Sequence, residues 1–87
     1  MYEVIVSQEA EKYYKRQDKE TKGRINKAIE YLSSEPLVGT HIKRLRGELE
    51  GKYRYALGGL RIIYMVDRRG RFVKVLAIRT RGDIYNR

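Results

Sequence analysis

The second half of the chain interleaves basic and aromatic side chains in a pattern suited to gripping a phosphate and a base. The residues are Lys52, Tyr53, Arg54, Tyr55, Arg61, Tyr64, Arg79, Arg81 and Tyr85, with Lys43 and Arg44 just ahead of them. A guanidinium is a rigid fork of N–H donors that matches phosphate oxygens two at a time and stays charged at any useful pH. A tyrosine beside it stacks on a base, or carries a proton if its pKa is lowered. The bland alternative is a solvated sheet face, since exposed arginine is common there and tyrosine is a favoured strand residue. Taken singly, most of these side chains fit that alternative. Arg61 stands out because it interrupts an apolar run between Leu60 and Ile62. Tyr85 stands out because it follows Gly82-Asp83 where a polar tail is expected. Tyr13 and Tyr14 sit at helical spacing and read as core.

Other chemistries are poorly supplied. The chain has no cysteine and so no disulfide, thiolate metal site or cysteine nucleophile. His41 is the single histidine and reads as a solvated loop residue. No Ser/His/Asp set, His/Cys/Asp cluster, P-loop or dinucleotide fingerprint is visible. Neither a metal nor a cofactor is expected. The acids of the second half, Glu48, Glu50, Asp67 and Asp83, fall in turns among basic residues and make a poor acid/base pair.

The net charge of +9 is unevenly placed. Residues 1–42 balance Lys12, Lys15, Arg16, Lys19, Lys22, Arg24 and Lys27 against Glu3, Glu9, Glu11, Asp18, Glu20, Glu30 and Glu35. The whole excess therefore lies in residues 43–87. Such asymmetry points to a polyanionic partner: nucleic acid, an anionic membrane or an acidic protein. No apolar run reaches the ~20 residues needed to span a bilayer, so no membrane role is expected. The start, Met1-Tyr2-Glu3-Val4-Ile5-Val6, lacks the features of a signal peptide and reads as the first strand of a cytoplasmic protein. Residues 1–87 are expected to form one domain.

A sheet must position these side chains. Val4–Val6 predicts a short strand. Ser7 and Asp18 are helix N-cap candidates. Ala10, Tyr13, Tyr14 and Gln17 recur at helical spacing, and Ile25, Ala28, Ile29 and Leu32 form one apolar stripe on a second helix. Pro36 closes it. Residues 37–51 read as loop. Tyr53 to Leu57, Leu60 to Val66 and Phe72 to Thr80 then alternate as three strands. Gly58-Gly59 and Asp67-Arg68-Arg69-Gly70 are read as turns, the second with Gly70 supplying positive φ. The third strand is apolar on both faces and is expected to be central. The expected fold is α+β, in the order β-α-α-β-β-β: an N-terminal strand, a helical hairpin covering one face, and a three-stranded antiparallel meander. By parity, Arg54 and Arg61 share the face opposite the helices, and Arg79 and Arg81 leave the next strand beside them.

Three ordered stretches carry a resemblance. Lys43-Arg44-Leu45-Arg46-Gly47-Glu48-Leu49-Glu50-Gly51-Lys52-Tyr53-Arg54 resembles the "K-L-x-G-x-x-G-x-Y-R" stretch of the RelE/ParE superfamily of toxins of type II toxin–antitoxin systems. Gly59-Leu60-Arg61-Ile62-Ile63-Tyr64 resembles its "G-x-Y-R-I-I-Y" strand. Val75-Leu76-Ala77-Ile78-Arg79-Thr80-Arg81-Gly82-Asp83-Ile84-Tyr85 resembles its "V-x-x-I-x-H-R-x-D-V-Y" ending. The resemblance is closer to the RelE-like mRNA interferases and implies endoribonuclease activity. Members of that group cut mRNA in the ribosomal A site by metal-independent attack of the ribose 2′-OH on the adjacent phosphorus.

By resemblance Arg61 stabilises charge on the phosphate. Arg81 holds phosphate and helps protonate the leaving 5′-oxygen. Tyr85 orients the nucleotide and assists proton transfer. Lys52, Arg54, Arg79, Lys43 and Arg44 are the expected substrate-binding residues. Two positions depart from the pattern. Ala56 stands where many members have a second basic residue, and Thr80 where many have histidine. The implied partners are the ribosome, mRNA and a small acidic RelB-like antitoxin that folds on binding; the free toxin is expected to be monomeric. The alternative is a ParE-like toxin that binds and poisons DNA gyrase without cutting RNA; such members generally lack the arginine/tyrosine set. A third reading is a basic RNA-binding or ribosome-associated domain without activity.

Overall fold

The computed structural model describes residues 1–80. The element order is β1 (Glu3–Val6), α1 (Gln8–Lys15), α2 (Lys19–Ser34), β2 (Ile42–Arg44), a 3₁₀ turn (Gly47–Leu49), β3 (Lys52–Leu57), β4 (Leu60–Asp67) and β5 (Phe72–Arg79). The strands form one sheet in the order β1-β5-β4-β3-β2. β1 runs parallel to β5, and the remaining neighbours are antiparallel.

Local chemistry sets the helix ends. The Ser7 hydroxyl accepts from the Ala10 N–H, and the Asp18 carboxylate accepts from the Thr21 N–H at 2.7 Å. Each satisfies an N–H that has no partner inside its own helix. The Thr21 backbone N–H, more than the Thr21 side chain, holds the Asp18 carboxyl below its ordinary pKa. Ile25, Ala28 and Leu32 of α2 and Ala10 and Tyr13 of α1 bury against Tyr55, Leu60, Ile62, Tyr64, Val73, Val75 and Ile78 of the sheet. Burying one such large apolar side chain is worth ~1.5–3 kcal/mol, so this layer is what holds the small domain together. Inside it the Tyr64 hydroxyl donates to the Pro36 carbonyl at 2.7 Å. Burial, and then the nearby Tyr53 and Tyr31, push the Tyr64 phenol well above its ordinary pKa, so it stays a neutral donor.

Two local expectations are corrected, and a third, that the last strand lies inside the sheet, holds, since β1 and β4 flank β5. Residues 37–51 are not all loop: Ile42–Arg44 adds a fifth strand, with Ile42 opposite Tyr55 and Arg44 opposite Tyr53. The meander is therefore four-stranded. Three residues are too few to show a period, and this strand is set by pairing with β3. The two-faced apolar run in β5 comes from a β-bulge. Ile63 pairs Ala77 while Tyr64 pairs Val75, leaving Leu76 as the extra residue. Val75 and Ile78 thus reach the same core although three positions apart. In the β4–β5 turn, Arg71 and not Gly70 takes positive φ, at 55°. At Gly70 a Cβ would lie 3.0 Å from the Phe72 ring, so a larger residue there requires the ring to give by a few tenths of an ångström. The β3–β4 turn behaves as read, with Gly58 at φ 60°.

Candidate functional site

Strand alternation puts Tyr55, Ile62 and Ile78 into the core and turns their neighbours to the opposite face. On that face Arg54 lies across from Ile63 on one side and Lys43 on the other. Arg61 lies across from Ala56 and from Arg79. Arg54 and Arg61 are therefore diagonal neighbours, a separation of roughly 7–8 Å between backbone positions, which long side chains bridge. Lys52, Met65 and Lys74 form the next row. Arg54, Arg61, Arg79 and Lys52 are half-buried, while Lys43 and Lys74 are exposed.

Like charges at directly opposed positions repel, and the Arg61–Arg79 pair resolves this by parting. Arg61 Nη1 donates to the carbonyls of Gly58 at 2.7 Å and Leu60 at 3.0 Å. Arg79 Nη1 donates to the Ile78 carbonyl, and its Nη2 meets Glu9 Oε2 of α1 at 2.8 Å. The Arg79 guanidinium also lies over the Tyr13 ring, 5.7 Å from its centre. Among the described residues the ion pairs are this one and Lys15–Glu11, so neither Arg54 nor Arg61 has a carboxylate partner there. Arg54 Nε is buried and donates to no acceptor among the described residues. An unsatisfied buried donor is costly.

The structure thus gathers Lys43, Arg54, Arg61 and Lys52 on one face and draws Arg79 towards α1. Arg44 does not join them. By alternation it points to the other side of β2, where it lines a hollow of about 320 Å³ with Leu45, Arg46 and Glu50. Arg81 and Tyr85 lie outside the described residues. His41 is exposed, with its ring 5.7 Å from that of Tyr55. A groove of about 340 Å³ lined by Val6, Glu11, Tyr14, Asn26, Ile29 and Ile78 lies on the helix side, away from the cations. Sequence reasoning missed Lys74, although its place between core residues Val73 and Val75 signals the open face. It also missed Glu9 as the partner of Arg79, since nothing in the sequence links positions 70 apart.

A family model described as the ParE toxin of type II toxin–antitoxin system, parDE, matches residues 4–85. The chain belongs to the ParE toxin family. It is a toxin of the RelE/ParE superfamily, and its fold is that of RelE-like toxins. The toxin–antitoxin complex RelBE2 of Mycobacterium tuberculosis contains a chain 26% identical to it. That match covers 92% of this chain and 98% of the other, with a TM-score of 0.83. The archaeal RelE–RelB complex of Pyrococcus horikoshii gives 27% identity, coverage of 93% and 96%, and a TM-score of 0.78. The RelBE complex of E. coli shares the fold at 20% identity, coverage of 92% and 96%, and a TM-score of 0.77. No curated protein matches the chain. For this ParE-family toxin, no helix among the described residues is long and apolar enough to cross a membrane.

Proposed function

We propose that this toxin is a ribosome-dependent, metal-independent endoribonuclease that cuts mRNA in the A site and so stops translation in the cytoplasm. The observation that carries the reading is the placement of Arg54 and Arg61 as diagonal neighbours on one sheet face, neither with a carboxylate partner, and the Arg54 Nε without an acceptor, among the described residues. In the reaction the ribose 2′-oxygen bonds to phosphorus and loses its proton. The phosphorus–O5′ bond breaks, the leaving 5′-oxygen takes up a proton, and a 2′,3′-cyclic phosphate remains. Arg61 offsets the charge that builds on the phosphate oxygens. Arg54, with Lys43 and Lys52, holds the backbone on either side. Arg81 and Tyr85 are assigned leaving-group protonation and nucleotide orientation from the resemblance. Fixed donors aimed at developing charge are commonly the largest catalytic contribution, and the ribosome supplies much of the in-line geometry.

The partner that would silence this face is a small acidic antitoxin. Similar chains are found in RelB-containing complexes, and an acidic segment complements the excess cations of residues 43–87. The match to the ParE family favours a second reading, in which the same fold binds DNA gyrase and poisons it without RNA cleavage. Pulsed induction separates the two. The nuclease reading expects protein synthesis to stop within minutes and no DNA-damage response. A DNA-damage response with translation continuing would replace it by the gyrase reading.

A further inference from the structure

We propose that Tyr13 is a positioning residue for the arginine-bearing end of β5, acting with Glu9 from the same helix. The proposal rests on the RNA-cleavage reading above. β1 is four residues long and ends opposite Val75, so beyond that point α1 takes its place beside β5. Three side chains of this helix and its cap then meet β5 in order. The Ser7 hydroxyl donates to the Leu76 carbonyl at 2.9 Å. Glu9 holds the Arg79 guanidinium at 2.8 Å. The Tyr13 hydroxyl donates to Thr80 Oγ1 at 3.0 Å, and its ring lies beneath Arg79.

Tyr13 is only 5% exposed, and packing alone would be served by phenylalanine. A hydroxyl in such a place is tolerated only when it is bonded. Here its bond reaches the residue that directly precedes Arg81 in the sequence. The same side chain therefore braces Arg79 through its ring and Thr80 through its oxygen. Ser7, which caps α1, is itself bonded to Leu76, so the helix is tied to β5 at Leu76 and Arg79 and to Thr80 just beyond it. Errors of about 1 Å in catalytic placement cost up to ~10²-fold in rate.

The test is single-turnover cleavage of A-site mRNA by purified wild-type toxin, Tyr13→Phe, Thr80→Val and Tyr14→Phe, with thermal melts of each. Tyr14 is the control: it lies on the same helix, and its hydroxyl meets Asn26, not β5. The proposal expects Tyr13→Phe and Thr80→Val each to lower the maximal rate by about tenfold, as for one lost hydrogen bond. The ribosome concentration for half-maximal rate should not change, and Tyr14→Phe should cut normally. A wild-type maximal rate for Tyr13→Phe overturns it, as does an equal loss in Tyr14→Phe. If the wild-type protein itself does not cut, the RNA-cleavage reading fails and takes this proposal with it, a result plainly different from normal cutting by Tyr13→Phe.

Discussion

The two faces of the sheet are made from the same strands, one residue out of step, and they do opposite work. On the helix side Ile62 is fully buried among Tyr64, Val75 and Ile78. One position earlier, Arg61 is half-buried on the far side beside Arg54. The inner face lowers free energy by excluding water from apolar surface. The outer face crowds cations together and leaves a buried N–H without an acceptor among the described residues, which raises it. In the proposed function, stability and anion binding are divided between alternate residues of β3 and β4, and each should be separately breakable.

Ile62→Ala should break the inner face. A cavity at a fully buried site costs ~2–5 kcal/mol, read as a fall in the urea midpoint, with activity per folded molecule kept. Arg54→Met sharpens the contrast. It should weaken ribosome or RNA binding about tenfold, as for a lost charged hydrogen bond, and flatten the salt dependence by close to ~0.7–0.9 in log–log slope. Stability should stay level or rise, because the unsatisfied donor is gone. A clear loss of stability would mean that Arg54 is structural. Tyr64→Phe tests the polar contact of the inner face. Losing the bond to the Pro36 carbonyl should cost about 1–2 kcal/mol in a denaturant melt and leave cutting intact.

The smallest effect concerns neither face. Asp18 caps α2, and its folded pKa lies below the ordinary 3.8. Its contribution is therefore present above the unfolded pKa and is lost as pH falls through the lowered folded value. Asp18→Asn keeps a capping oxygen that does not titrate, so stability should fall off less steeply below pH 3.8 than in the wild-type protein. Equal acid profiles would show that Asp18 does not contribute.

The contrast between faces was largely legible in the sequence. The stripe of Ile25, Ala28 and Leu32, the Ser7 and Asp18 caps, and the parity of Arg54 against Tyr53 and Tyr55 all follow from period and residue type. What was not legible depends on partners far away in sequence. Three residues of β2 become a strand only because β3 is there to pair. The bulge at Leu76 is a choice of register between strands. Arg79 looks like Arg61 in the sequence, yet Glu9 claims it. Arg81 and Tyr85, two of the three expected catalytic residues, lie outside the described residues, so their roles rest on resemblance alone.

Primer extension on mRNA after pulsed expression of wild-type toxin and Arg61→Ala tests the central claim most directly. New 5′ ends are predicted inside coding regions for the wild-type protein. For Arg61→Ala, of equal abundance and melting temperature, they should diminish by about 10²–10³-fold. Cutting by Arg61→Ala at the wild-type rate, or no new ends from the wild-type toxin while growth still stops, would contradict it.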